Sequence, residues 1–268
     1  MSNFCYTDER FADLQMLRYQ LTGFEQLSLQ QKRLIYYLSK AALFGRDITF
    51  DQYGRYNLRI RKTLETVYTD LRIDHETDEF RALELYLKRL WFSNGIYHHY
   101  GTEKFIPDFN EEYLRCVLHQ VDARRLPLGS GQTVDGLCDE LFPVIFDPTV
   151  LPKRVNKADG ADLVATSACN FYQGVTQQEA EEFYRLQKDA CTTPDTPPSF
   201  GLNTTLLKRD GQVVEDTWRI GGRYGQALSH IVYWLEKTLA VAENDRQRRV
   251  IELLISYYRS GDLHTFNE

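Results

Sequence analysis

The chain has 268 residues, 43% of them hydrophobic and 26% charged, with a formal net charge of −6. That length can bury a substantial core, and the composition is that of an ordinary globular protein. The acidic balance argues against nucleic acid as a partner, because phosphate binding requires a basic surface; no apolar run approaches the roughly 20 residues needed to span a bilayer, so no membrane partner is expected.

From the N-terminus onward, the pattern is mainly helical. Ser28-x-x-Gln31 is a capping box that opens a helix over 28–44, with Leu34, Ile35, Leu38, Ala41 and Ala42 at helical spacing and Gly45 as a stop. A second helix is predicted over 56–71 (Leu58, Ile60, Leu64, Val67, Tyr68, Leu71). A third, over 77–92, carries Phe80, Leu83, Leu87, Leu90 and Trp91 on one stripe and ends at Ser93-Asn94-Gly95. Shorter helices are expected at 110–121 and 133–142, and Thr176-x-x-Glu179 caps another that runs to about Ala190. The stretch CTTPDTPPS, 191–199, holds three of the eight prolines and is read as a loop and a possible subdomain break. Beyond it, Thr204, Leu206, Val213, Val214 and Trp218 flank Asp210-Gly211, a β-hairpin signal within 200–220. Two long helices, 223–242 and 245–259, close the pattern, and an α+β fold fits.

Chemistry is harder to find. Cys5, Cys116, Cys138, Cys169 and Cys191 are odd in number and contain no C-x-x-C pair, which predicts reduced thiols rather than a disulfide framework or structural zinc. Basic clusters such as Arg59, Arg61 and Lys62, or Arg246, Arg248 and Arg249, read as solvated helix faces. No nucleophile elbow and no phosphate-binding loop occurs; Gly221-Gly222 reads as loop geometry. His98 and His99 are adjacent, whereas paired helical zinc ligands stand four residues apart; His75, His119, His230 and His264 are isolated. The stretch WFSNGIYHHYGTEKF, 91–105, is the best candidate site. Its Asn, Gly, Tyr and His groups suit an extended peptide held through its main chain, although a structural connection between a helix and a strand has the same composition. The start, MSNFCYTDERF, shows no signal-peptide pattern, so a cytoplasmic location is expected, or export if an upstream signal peptide has been removed.

The segment WFSNGIYHHYGTEKFIPDF (91–109) resembles the N-terminal part of dipeptidyl peptidase III, a family of zinc exopeptidases, and most closely its bacterial members. FEQLSLQQKRLIYYLSKAALFGRDI, LFPVIFDPTVLPKRVN (141–156), SACNFYQGVTQQEAEEFY (167–184), FGLNTTLLKRDGQ (200–212) and YWLEKTLAVAEND (233–245) agree in the same order. The family's H-E-x-x-G-H zinc motif does not occur in these residues. The resemblance therefore implies a single N-terminal, substrate-binding lobe over 1–268, with a partial antiparallel β-barrel core wrapped by helices. It also implies no catalytic residue and no metal or cofactor of its own, zinc belonging to the parent enzyme. Asn94, Gly95, His99, Tyr100 and Gly101 would line the peptide-binding wall, Tyr100-Gly101 matching the family's aromatic-glycine pair. If the loop is extended, His98 points to the opposite face. The implied partners are short peptides, the missing C-terminal zinc-bearing lobe, and a second copy meeting the surface that truncation uncovers. Alternatives are a stand-alone peptide- or protein-binding module without enzymatic activity, and an unrelated enzyme such as a reductase, for which no dinucleotide fingerprint is present.

Overall fold

Helices alternate with short strands along the chain in the computed structural model, which describes residues 4–193 and 195–268; the first three residues of the MSNFCYTDERF start and one proline of the 191–199 loop lie outside these. In order, the elements are β1 (Thr7–Phe11), β2 (Leu14–Leu17), α1 (Leu29–Leu43), α2 (Arg46–Tyr53), α3 (Asn57–Tyr68) and α4 (Asp78–Ser93). There follow α5 (Glu111–Gln120), α6 (Val134–Phe146), β3 (Tyr172–Gln173), α7 (Gln177–Asp189), β4 (Thr204–Arg209) and β5 (Gln212–Thr217), then α8 (Gly225–Leu239), α9 (Asp245–Ser260) and α10 (Leu263–Asn267). The fold is mixed α+β. Among the described residues no helix is long and apolar enough to cross a membrane.

The chain divides into two compact units and passes between them several times, once inside α2. The first comprises residues 4–20, Phe50–Ala161 and Thr166–Cys169. Its core is helical: Ile60, Leu64 and Val67 of α3, Leu83, Leu87 and Leu90 of α4, Leu114 and Leu118 of α5, and Leu137, Leu141 and Ile145 of α6 are all buried. The α4 stripe follows the expected period, but Trp91 stays partly exposed, its indole N–H donating to the Glu65 carboxylate at 2.8 Å. α3 ends at Tyr68, three residues before the expected end, because the Asp70 carboxylate accepts from the backbone and side chain of Arg72 and turns the chain; Leu71 is left 94% exposed. α6, in contrast, runs past Pro143 to Phe146. Burial of Val144 and Ile145 there outweighs the helix-breaking tendency of an internal proline. The β1–β2 hairpin, which the pattern did not predict, turns through Ala12 in a left-handed conformation (φ 49°).

The second unit comprises Leu21–Thr49, Asp162–Ala165 and Asn170–Glu268, and contains the described residues of the 191–199 loop. The capping box at Ser28 and Gln31 forms as read, but of the α1 stripe only Leu34 and Ala41 are buried, while Ile35 and Leu38 are exposed. Leu34 and Ala41 pack with Leu228, Ile231, Val232 and Leu235 of α8 and Ile251 and Ile255 of α9. Around α1 and α8 the rings of Tyr36, Tyr37, Tyr233 and Trp234 form a continuous aromatic group, with Tyr36 and Tyr233 about half exposed. His230 stacks on Phe44 at 4.7 Å, which accounts for this isolated histidine.

The hairpin read at 200–220 is present: β4 and β5 pair antiparallel from Thr204↔Thr217 to Arg209↔Gln212, and Asp210 and Gly211 both take positive φ (51° and 78°). Two successive left-handed residues make a type I′ turn, which matches the twist of the strands. β3 joins β4 in parallel, giving the order β3-β4-β5. The sheet is therefore mixed and open. Among the described residues no barrel closes; the β structure is small, as expected, but not wholly antiparallel.

α7 opens on the predicted box, Thr176 accepting from the Glu179 backbone while the Glu179 carboxylate accepts from Thr176 N–H at 3.0 Å. The Lys208 ammonium, 2.6 Å away, is the main influence holding the Glu179 carboxyl down, from 4.5 to about 2. A carboxylate whose folded value is depressed stabilises the fold above its unfolded value and loses that contribution as pH falls through the folded one. Acid titration of the α7 amides should therefore show loss beginning below about pH 4.5 and extending toward 2 in the native chain, and Glu179→Gln should flatten that limb.

Candidate functional site

The candidate stretch is built from the C-terminus of α4. Asn94 ends that helix in the left-handed region (φ 55°, ψ 39°), the local chemistry expected of Asn at this position, and Gly95 N–H donates to the Leu90 carbonyl at 3.0 Å. Gly95 has φ +148°, and a Cβ there would lie 2.1 Å from Nδ2 of the buried Asn57. Asn57 Oδ1 in turn accepts from Ile96 N–H at 3.3 Å. One buried amide thus fixes where the chain leaves the helix. Asn57 gave no signal in the sequence.

Beyond this anchor the chain doubles back. His98 N–H donates to the Glu103 carbonyl and Phe105 N–H to the Ile96 carbonyl, both at 2.7 Å, so that Tyr97 faces Lys104 in an antiparallel pair. The ladder continues outward: Lys104 N–H donates to Pro152 and Arg154 N–H to Thr102, then Ala168 and Cys169 N–H donate to Lys153 and Arg154. Four short extended segments therefore lie side by side in the first unit.

Lys104 and Tyr97 secure this ladder from behind. The Lys104 ammonium donates to the carbonyls of Val144 (2.9 Å), Asp147 and Val150 (2.6 Å), at the C-terminal end of α6, where a cation also meets the negative end of the helix dipole. Burial pushes this lysine's pKa down. The Tyr97 hydroxyl, almost fully buried, donates to the Leu151 carbonyl at 3.1 Å, and burial raises its pKa strongly.

At the tip, residues 98–102 form a tight turn. Thr102 N–H donates to the His98 carbonyl at 3.0 Å, and His98 Nδ1 accepts from Tyr100 N–H at 3.3 Å and Gly101 N–H at 3.0 Å. Thr102 takes φ 68°. The Glu103 carboxylate lies over Gly101, an oxygen 2.1 Å from where a Cβ would stand, so a side chain there would have to displace that exposed carboxylate. Because the chain turns here instead of remaining extended, His98 and His99 do not face opposite sides: their rings stack at 4.5 Å. The His99 ring also meets Phe92 edge-on at 5.0 Å, and its Nδ1 is buried without a hydrogen-bond partner. Burial first, and His98 second, lower the His99 pKa, so the ring is held neutral. Tyr100 stands out at the tip, 86% exposed.

The five expected residues thus fall into two groups. Asn94 and Gly95 form the base, where Gly95 is buried against Asn57; His99, Tyr100 and Gly101 form the tip, and Tyr100 offers the accessible surface. Arg154 flanks the tip, its guanidinium 4.4 Å from the Tyr53 ring and donating at 3.5 Å to the His99 carbonyl. Among the described residues no three His, Cys, Asp or Glu side chains converge as a metal-binding group. Chemically the hairpin offers exposed aromatic and main-chain groups on a rigid support. A separate shallow groove of about 530 Å³ lies in the same unit, lined by Lys62, Glu65, Tyr68, Trp91 and Arg125, and does not include the tip.

No family model matches the chain, and no curated protein matches it. Among solved structures it is similar to DPP III from Caldithrix abyssi, with a TM-score of 0.52 and 16% sequence identity. The match covers 89% of this chain and 32% of that one, so the chain spans about a third of the length of the protein it matches. At this identity the likeness establishes a DPP III-like fold.

Two substitutions test the supports of the hairpin. Gly95→Ala should destabilise the first unit by about 1–3 kcal/mol in denaturant melts, and Asn57→Ala in the same chain should recover part of the loss by removing the clash, a non-additivity that independent sites would not show. Lys104→Met strands three carbonyls and should cost about 2 kcal/mol, with loss of amide protection at Arg154 and Ala168 in hydrogen exchange.

Proposed function

We propose that this chain is the substrate-binding lobe of a zinc-dependent dipeptidyl peptidase, one that removes dipeptides from the N-termini of short peptides, and that it is catalytically inactive alone. The observation that carries the reading is the coincidence of a likeness in fold with one in sequence. A DPP III-like fold spans 89% of the chain, and 91–109, a segment that resembles the family in sequence, forms the braced hairpin. Among the described residues no three His, Cys, Asp or Glu side chains form a group that could hold zinc, and no step is routed through the metal on this chain.

The lobe's part is to hold and orient. Tyr100 stacks on or hydrogen-bonds to the peptide, while His99, kept neutral, offers an imidazole that does not repel a cationic N-terminus. The buried Asn57 amide and the Lys104 clamp fix this geometry before the peptide arrives, which lowers the ordering cost of binding. Orientation of this kind contributes to catalysis by a partner lobe without any reacting group here.

A second reading, a stand-alone binding module, is favoured by the half-exposed aromatic group of Tyr36 and Tyr233 on the second unit, a surface suited to a protein partner. Titration calorimetry with a tetrapeptide, beside mass spectrometry of the same peptide with added zinc, tests the leading reading. The expected result is binding, a roughly tenfold loss of affinity on Tyr100→Ala, equivalent to about 1.4 kcal/mol, and no dipeptide release. Dose-dependent cleavage that a chelator abolishes would overturn it, and so would tetrapeptide affinity indifferent to Tyr100.

A further inference from the structure

We propose that the turn at 98–102 is an acid-sensitive latch: a proton taken up by His98 opens it and withdraws the His99–Tyr100 tip from its peptide. The idea rests on the reading of this turn as a peptide-binding site and concerns how that site is regulated.

The geometry at His98 makes its ring a structural acceptor. Nδ1 receives the backbone N–H of Tyr100 and of Gly101 at 3.3 and 3.0 Å, so the lone pair lies on Nδ1 and the single ring proton on Nε2. The imidazolium carries N–H on both nitrogens. A second proton therefore goes to Nδ1, where it meets two donors and no acceptor, and both hydrogen bonds are lost. A proton on Nδ1 is thus incompatible with the closed turn, and acid favours the open one.

The neighbouring groups act mostly in the same direction. His99, stacked at 4.5 Å, is itself held neutral by burial, and its charging in the open state drives the turn the same way. Arg154, at the His99 carbonyl, adds positive charge on that side. Two carboxylates oppose it, each with a cation beside it: Glu103 lies over Gly101 with Lys153 at 3.8 Å, and Asp13 attracts a proton to His99 but has Arg89 at 3.4 Å. The other rings at the turn belong to Phe105, with the Arg89 guanidinium over its face, and to Phe92 and Tyr100. The Cγ–Nδ1 bond of histidine is matched in position by the Cγ–Oδ1 bond of asparagine. Asparagine accepts the same two N–H groups, as in an Asx turn, and does not titrate.

The test is NMR of the full chain from about pH 7.5 to about pH 5, following the ring nitrogens of His98 and the amides of Tyr100 and Gly101. The expected result is an Nε2–H tautomer at the upper end, with both amides shifting in step with the His98 ring as acid is added. In His98→Asn the same amides stay in place across the range. Amides that hold still while His98 titrates would overturn the latch; so would amides that move equally in the asparagine variant. Tetrapeptide affinity measured on the same samples should fall with the opening. Amides that follow His98 in a chain that binds no peptide at any pH would leave the latch standing and remove the site reading instead.

Discussion

The Lys104 ammonium is the interaction on which the candidate site depends. It sits at the end of α6 with three carbonyls around it, and its own backbone N–H pairs with Pro152. A single residue therefore satisfies the frayed end of a helix, fixes the 147–150 turn and sets the register between two ladder segments. A carbonyl left bare in such a place costs more than its hydrogen bond contributes when made, so the arrangement is stable only as a whole. The hairpin tip inherits its rigidity from that base. Tyr97 repeats the same strategy one residue across the ladder, through its hydroxyl on Leu151.

The two units hold themselves together differently. In the first, the inward faces of α3, α4, α5 and α6 bury most of the apolar side chains, and apolar packing carries the unit: Thr66 meets the Arg125 and Lys62 carbonyls, but the buried hydroxyls of Thr63, Tyr86 and Ser93 have no hydrogen-bond partner among the described residues. The second has a thinner apolar centre and relies more on polar bracing. Arg223 and Trp218 both donate to the Thr205 hydroxyl, at 2.9 and 3.0 Å, and Asn203 donates to the Gly261 carbonyl at the end of α9. Gly261 admits no side chain there, since its Cβ would lie 2.4 Å from Thr217. Such networks specify one arrangement because each member depends on the others.

What could be read from the sequence follows from which forces are local. Caps and turns depend on a few neighbouring residues, and Ser28, Thr77, Asn110, Thr176, Asn244 and the Asp210-Gly211 turn all behave as their chemistry dictates. Elements decided by distant partners were not legible. α2 follows directly on the expected stop at Gly45 and buries only Phe50; β3 is two residues long and exists through pairing with β4; α6 survives its proline through burial. The candidate site divides along the same line. Position 91–105 stood out by its residue types, but Asn57, Lys104 and Arg154 act from far along the chain or through geometry that no spacing rule encodes. The expectation for His98 was tied to an extended loop, and that condition is not met: alternation holds for strands, and this segment turns.

The chain has three tryptophans, and their placement gives each unit an optical voice of its own. Trp91 belongs to the first unit, half-open to solvent, with a carboxylate on its indole N–H and Tyr68 edge-on at 5.6 Å. Trp218 is buried beside Phe171, and Trp234 stacks on Tyr37, both within the second unit. Replacing Trp91 with phenylalanine leaves emission that reports on the second unit alone, and replacing the other two leaves a probe of the helical core that carries the hairpin. Melting of the two units can thus be followed separately in one intact polypeptide, by the colour and intensity of its own fluorescence.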